Sequence, residues 1–232
     1  MRDALPIAAR LFSWTGALLF FVSLAYFFFS YLIRFGEPVA GRIESAAITW
    51  NVALFTIFAM HHSIFARTGI RDWLRRAIPD YLERPVYIWI ASILFLIVCL
   101  FWRPVPGVLW DAGGAAALPL WGLQGAGIWL TLKSAGILDV RELAGLVQKG
   151  PPTDFRASGP YGWVRHPIYA GWFLMVLPAP RMTMTRFVFA VVSCLYLLVA
   201  IPLEERTMRR GSDGGYDRYM RQVRWRLIPG VY

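Results

Sequence analysis

Long apolar stretches separated by short arginine-rich segments set the pattern of this chain. Leu11 to Ile33 is a charge-free run of 23 residues, enough at about 1.5 Å per residue to cross a hydrocarbon layer about 30 Å thick. It is too long for a cleaved leader and no small-residue cleavage site follows it, so it is expected to be retained. Further apolar runs over Ala46 to Ala66, Val86 to Trp102, roughly Ala115 to Leu138, Ile168 to Pro180 and Phe187 to Leu203 predict additional spans. The fifth run is short and is closed by Pro178 and Pro180, so it reads as one arm of a helical hairpin with the sixth. Pro167 suits the start of that arm, because a first helical position needs no amide donor. The pattern predicts an all-α integral membrane protein of five to six transmembrane helices, including a C-terminal helical hairpin, with a cytosolic C-terminal tail folded over a site.

Composition supports the membrane reading. Over 232 residues the chain is 57% hydrophobic and only 16% charged, with a mean hydropathy of +0.49, too apolar for an ordinary soluble domain. Assigned to alternate loops, 19 of the 24 Lys and Arg fall on one side, which predicts cytoplasmic N- and C-termini; the cytoplasmic membrane of a prokaryote is the expected location. The net charge of +10 therefore faces anionic headgroups, and no nucleic-acid motif accompanies it. Cys99 and Cys194 lie within apolar runs without CxxC spacing, and three histidines do not complete a zinc set. No disulfide and no metal site is expected. No repeat or long linker divides the chain, so it reads as one polytopic domain, with scaffold helices over 1–138 and a cofactor-binding core over 139–232.

Several polar interruptions matter. His61 and His62, followed by Ser63, stand near the cytoplasmic end of the second span, either as a helix end meeting interfacial water or with one imidazole facing a ligand. The stretch 67–85 places Ile70, Trp73, Leu74 and Ile78 at helical spacing among arginines, as in a helix lying in the interface plane. The fourth span holds Gly122, Gly125, Ala126, Gly127 and Gly136, which would let another helix or a cofactor approach the backbone. The connection from Asp139 to Ser158 is long enough to serve as a lid or as a plain surface loop.

Chemistry concentrates in two places. The segment Gly159 to Gly171, GPYGWVRHPIYAG, sets Arg165 and His166 before Pro167 with Tyr161, Trp163 and Tyr169 around them, and Glu204 and Glu205 close the sixth span. Polar groups at the mouth of a membrane helix mark a ligand site. A carboxylate pair beside aromatic faces suits a ligand cation and ribose hydroxyls, and a basic residue by a helix N-terminus suits a ligand carboxylate. S-adenosylmethionine carries all of these groups. Neighbouring residues on a helix point about 100° apart, so one of Glu204 and Glu205 would meet the ligand while the other ties down Arg206, Arg209 or the tail.

The pattern GPYxxxRHPxYxG, a hydrophobic hairpin, the acidic pair, then Gly215, Tyr216 and Tyr219, and Pro229, resembles the membrane methyltransferase superfamily. That group includes isoprenylcysteine carboxyl, phospholipid and methanethiol S-methyltransferases. Similarity to the methanethiol branch extends upstream through His62 to Arg67, Glu83 to Tyr87 and Trp102 to Pro106. One departure is RGSDGGYDRY, which lacks the usual Phe-Gly before its first tyrosine. The resemblance implies a helical membrane enzyme that binds S-adenosylmethionine from the cytosol through His166, Tyr169, Glu204 and Glu205, with Tyr161 and Arg165 near them, and through Gly125 and Gly127 of an earlier helix.

Methyl transfer to sulphur demands a near-linear approach in a dry site. A simple thiol, with a pKa somewhat above the cysteine value of about 8.5, needs a base or cationic neighbour. His62, His166 and Arg165 are the candidate catalytic residues. A small thiol such as methanethiol is the leading acceptor. An amphiphilic acceptor, either a prenylcysteine carboxylate or a phospholipid amine, is the alternative. A haem-binding or isomerase-like protein using His61 or His62 with His166 is another, since the first half also resembles a carotenoid-isomerase-like membrane family.

Overall fold

A computed structural model of the chain describes residues 6–65, 76–147, 155 and 157–232. Of the interfacial stretch expected over 67–85, residues 67–75 lie outside the described residues, while Asp80–Pro85 belong to the start of a long apolar helix; part of the loop expected over 139–158 also lies outside them. Among the described residues, four helices are long and apolar enough to cross a membrane: Ile7–Gly36, Asp80–Phe101, Gly114–Ile137 and Met184–Gly211. The chain divides into two compact units.

The first unit takes in the described parts of Met1–Arg34, Thr49–Arg103 and Asp139–Lys149. It contains helix α1 (Ile7–Leu32), most of α2 (Ser45–Phe65), α3 (Asp80–Phe101) and the single turn α5 (Val140–Leu143). Aromatic side chains hold it together. Phe27 on α1 meets Phe95 on α3 with ring centroids 5.4 Å apart, and Phe58 on α2 meets Phe95 at 5.1 Å. Gly16 leaves room for the Trp89 ring, since a Cβ there would lie 2.9 Å from it. Trp89 in turn donates its indole N–H to the Phe12 carbonyl at 3.0 Å. Buried Asn51 satisfies the chain beyond α3 by a reciprocal pair of 2.8 Å hydrogen bonds with the backbone of Arg103, as a buried amide must.

The second unit takes in Phe35–Ile48, Pro104–Leu138 and the described residues after Gly150. Its helices are α4 (Ala117–Ile137), α6 (Pro167–Val176), α7 (Met184–Gly211) and α8 (Gly215–Gln222). Helices α4 and α6 cross at two glycines. A Cβ on Gly127 would stand 2.6 Å from the Gly171 carbonyl oxygen, and one on Gly171 would stand 2.7 Å from the Gly127 oxygen. Only paired glycines allow such a backbone approach. Helix α6 is ten residues long, as the flanking prolines predict, and its orphan C-terminal carbonyls need partners. Gln124 on α4 supplies one, donating to the Met175 oxygen at 2.7 Å. Trp172 ties α6 to α7 through the Ser193 hydroxyl at 3.0 Å.

Two features depart from the sequence reading. The expectation of an all-α protein misses a two-stranded antiparallel sheet, β1 (Val108–Asp111) with β2 (Arg181–Thr183). Extended Val-Leu-Trp-Asp pairs its backbone there with the segment between α6 and α7, and Arg181 meets Asp111 at 2.9 Å. Helix α7 also runs eight residues beyond Leu203, so the acidic pair sits inside a helix with another two turns beyond it. The polar face of those turns is satisfied at its far end, where Arg209 pairs with Asp217 of α8 at 2.8 Å.

Candidate functional site

The arginine, histidine and acidic pair of the site lie in the second unit. Arg165 and His166 precede α6, with His166 as its N-cap and Pro167 opening the first turn, so both side chains are fixed at a helix mouth. The chain from Arg224 to Arg226 runs beside them. The Arg165 amide donates to the Trp225 oxygen at 2.8 Å and the His166 amide to the Arg226 oxygen at 2.9 Å.

Glu205 is the centre of the cluster. Its Oε1 accepts from Arg165 Nε at 2.7 Å, and its Oε2 from Arg226 Nε at 3.0 Å. His166 Nε2 stands 3.4 Å and the Tyr216 hydroxyl 3.5 Å from the same Oε1. Glu205 is only 3% exposed, so charge-assisted bonds from two guanidiniums are what keep its carboxylate tolerable in that setting. Arg165 is completed by the oxygens of Val223 at 2.9 Å and Arg224 at 2.5 Å.

Glu204 has a different environment. Its side chain is 36% exposed, and its Oε1 accepts from the Tyr169 hydroxyl at 2.5 Å. The Tyr169 ring stacks on the His166 imidazole at 5.5 Å and 10°, and His166 Nδ1 lies 3.8 Å from Glu204 Oε2. The helical 100° offset thus separates a buried carboxylate committed to ion pairs from a partly exposed one set on an aromatic platform. The second of these can take a ligand.

Behind the cluster, Tyr216, Tyr219 and Val223 form a small core with Phe155, Met208 and Met220. Tyr219 donates to the Tyr161 carbonyl at 2.8 Å, which links the tail to the turn that precedes Arg165. Burial raises the pKa of the Tyr161 and Tyr216 phenols and pushes that of Tyr219 up to about 12. These hydroxyls remain neutral donors over the physiological range.

The structure brings together Tyr161, Arg165, His166, Tyr169, Glu204 and Glu205 as neighbours. Gly127 is occupied by the crossing with α6, while a Cβ on Gly125 would meet nothing within 4 Å. His62 lies in the first unit, where its Nδ1 is 2.8 Å from the Tyr87 hydroxyl, and the His61 ring stacks on Tyr87 at 5.6 Å. Among the described residues no group of His, Cys, Asp and Glu could hold a metal. Arg226 and the carbonyls of Val223, Arg224 and Trp225 were not singled out from sequence. Only the arginine left a signal there, as a cation late in a tail that already carried aromatics.

Spanning helices and an ionic cluster buried at a helix mouth define an integral membrane protein with a polar site at one end of an apolar helix. Residues 142–210 match the isoprenylcysteine carboxyl methyltransferase (ICMT) family, a segment that contains Arg165, His166, Glu204 and Glu205. The chain is 35% identical to the methanethiol S-methyltransferase of Mycobacterium tuberculosis, over 83% of this chain and 82% of that protein. It is 34% identical to that of Crocosphaera subtropica, over 80% and 76%. A third, methanethiol S-methyltransferase 2 of Bradyrhizobium diazoefficiens, is 31% identical over 80% and 74%. No solved structure matches the chain. The chain belongs to the ICMT-type membrane methyltransferase family, with methanethiol S-methyltransferases as its relatives. The haem-binding and isomerase-like alternatives are not favoured by these relatives.

Proposed function

We propose that the protein transfers a methyl group from S-adenosylmethionine to a small thiol such as methanethiol. The observation that carries this reading is the division of the acidic pair, with Glu205 neutralised in the interior and Glu204 partly exposed beside stacked His166 and Tyr169. The donor set fits the cofactor. A half-exposed carboxylate can accept from ribose hydroxyls or the amino group, and aromatic faces attract an onium centre. When bound, the cofactor supplies an electrophilic methyl on a positively charged sulphur. Glu204 and Tyr169 would hold it, and His166 would orient Tyr169 by stacking.

Of the three candidate catalytic groups, Arg165 is engaged with Glu205 and two tail carbonyls, which makes it a positioning residue. His166 touches both carboxylates and stacks on Tyr169 at the proposed ligand contact, where it can accept the proton a thiol gives up on methylation. His62 serves its own unit through Tyr87. Gly127 packs helices, and Gly125 is the one of the two glycines with open space. The finer topology follows the sequence reading: five to six spans, α6 and α7 as a hairpin, both termini cytoplasmic, and the tail after α7 covering the site as the Glu205 and Tyr219 bonds suggest. Membrane lipids surround the spans, and the names of the relatives favour a small-molecule acceptor over an amphiphile.

The test is transfer of a labelled methyl group across methanethiol, other thiols, prenylcysteines and phospholipid amines, using protein in lipid nanodiscs. A labelled volatile sulphide from methanethiol supports the assignment. Labelled lipid or prenylcysteine ester without sulphide overturns it.

A further inference from the structure

The tail that ties off Glu205 presents a second surface to its surroundings. Arg206, Arg210, Arg218, Arg221 and Arg224 are all exposed. The carboxylates around them are largely engaged: Glu205 with Arg165 and Arg226, Asp217 with Arg209, and Glu204 with Tyr169. Exposed Asp213 and partly exposed Glu204, whose bond to a neutral phenol leaves its charge in place, are two charges against five. Beside the arginines stand apolar groups open to solvent, with Trp225 38%, Ile228 50% and Val231 74% exposed. Arginines together with a tryptophan and aliphatic side chains are the composition that settles at a bilayer interface.

The backbone geometry connects that surface to the site. Between Val223 and Arg226 the carbonyls turn inward, to the Arg165 guanidinium and to the amides of Arg165 and His166, while the Arg224 and Trp225 side chains are exposed. Helix α8 has the same division, with Tyr216 and Tyr219 buried and Arg218 and Arg221 exposed. Whatever holds the exposed side also holds the inner side against Arg165 and His166.

We infer that the tail from Arg206 to Val231 docks on an anionic bilayer surface, and that this docking strengthens cofactor binding at the Glu204 site. The occupant follows from charge complementarity. Five exposed guanidiniums in a tail that also exposes interfacial apolar groups fit lipid phosphates at an oil–water boundary, and each basic side chain near such a surface strengthens attachment roughly fivefold. Coupling between two sites is reciprocal, so the factor by which docking on lipid tightens ligand binding is the factor by which bound ligand tightens docking. The coupling to cofactor rests on the methyl-donor reading above, whereas the docking does not.

The experiment compares nanodiscs of phosphatidylcholine alone with nanodiscs containing roughly one-third phosphatidylglycerol. It uses the full chain and the triple variant Arg210→Gln, Arg218→Gln, Arg221→Gln, whose side chains take no part in the site. S-adenosylmethionine affinity should be about three- to tenfold tighter for the unmodified chain in anionic discs. High salt should remove the gain, as screening requires, and the triple variant should show none. Amide exchange over residues 212–228 should slow in anionic discs even without cofactor. Equal affinity and equal exchange in both discs overturns the inference, as does a triple variant that keeps the full gain. Inorganic phosphate reproducing the gain in neutral discs also overturns it, because the site would then be one for a free anion. If no disc supports cofactor binding, the methyl-donor reading fails, and the exchange measurement alone decides whether the tail docks.

Discussion

Arg165 and Glu205 form a buried ion pair, Nε to Oε1 at 2.7 Å, with side chains 5% and 4% exposed. Two charges taken out of water regain their desolvation cost only when every remaining donor and acceptor is also met. Here the Val223 and Arg224 oxygens complete the guanidinium, and Arg226 completes the carboxylate. Because those partners come from the tail, the pair also links the mouth of α6, α7 and the tail. Glu205→Gln would leave two guanidiniums facing a neutral amide, at a cost of about 3 kcal/mol. Thermal unfolding in detergent should show a lowered midpoint, and amides of residues 223–228 should exchange faster. An unchanged midpoint with unchanged exchange would mean the tail is held elsewhere.

Glu204 should respond differently, because it is partly exposed and its partner is a phenol. Glu204→Gln removes a charge from the proposed ligand contact, and Tyr169→Phe removes the hydroxyl that orients it. Each should weaken S-adenosylmethionine binding about tenfold, the scale of a hydrogen bond to a charged group, with little change in the unfolding midpoint. The double variant should lose less than the sum of the two, since both act on one hydrogen bond. Cofactor titration of the four proteins checks this, and strict additivity would separate Tyr169 from Glu204 in function.

The two glycines of α4 make opposite predictions. At Gly127 a methyl group would be driven into the backbone of α6 near Gly171 and Met175, while at Gly125 it would enter open space. Gly127→Ala should therefore destabilise by about 1–3 kcal/mol, the range for overpacking a tight contact, and Gly125→Ala should be close to neutral in stability. Thermal midpoints compare them directly. If Gly125→Ala also weakens cofactor affinity at unchanged stability, Gly125 lies in the cofactor's path.

The elements most legible in the sequence were those dictated by one-dimensional rules. Apolar length predicted the four long helices, Pro167 predicted where α6 opens, and the helical 100° step predicted that Glu204 and Glu205 would serve different partners. What the sequence withheld depends on pairings far apart along the chain. Nothing local to Glu205 says that its cations would be Arg165 and Arg226 when Arg206 and Arg209 lie nearer, and Arg209 instead took Asp217. The β1–β2 pairing similarly needs the segment after Pro104 and the segment after α6 brought together within the second unit before Val108 and Thr183 can meet. Gly125 and Gly127 look alike in a GxG motif, and only the direction from which α6 approaches distinguishes them.

Tyr219 gives the tail a pH dependence of definite sign. Burial is the first cause of its raised pKa, with the Arg165 guanidinium opposing it and the Glu205 carboxylate adding to it, and the phenol is pushed up to about 12 from an ordinary value of about 10. A group whose folded value lies above its unfolded value favours the folded form while it is protonated. Its contribution is thus complete below about pH 10 and is lost as pH rises toward 12. Tyr161 and Tyr216 are shifted in the same direction, so they add to the alkaline loss. Ionised Tyr219 would also forfeit its donation to the Tyr161 carbonyl, which releases the tail from the turn before Arg165. Near-ultraviolet titration of phenolate with amide exchange over 212–228 should therefore show the tail opening between about pH 10 and 12. Tyr219→Phe should lower protection at neutral pH, because the hydrogen bond is gone, and should flatten the alkaline decline without abolishing it. A decline of the same steepness in Tyr219→Phe would assign the opening to the other phenols.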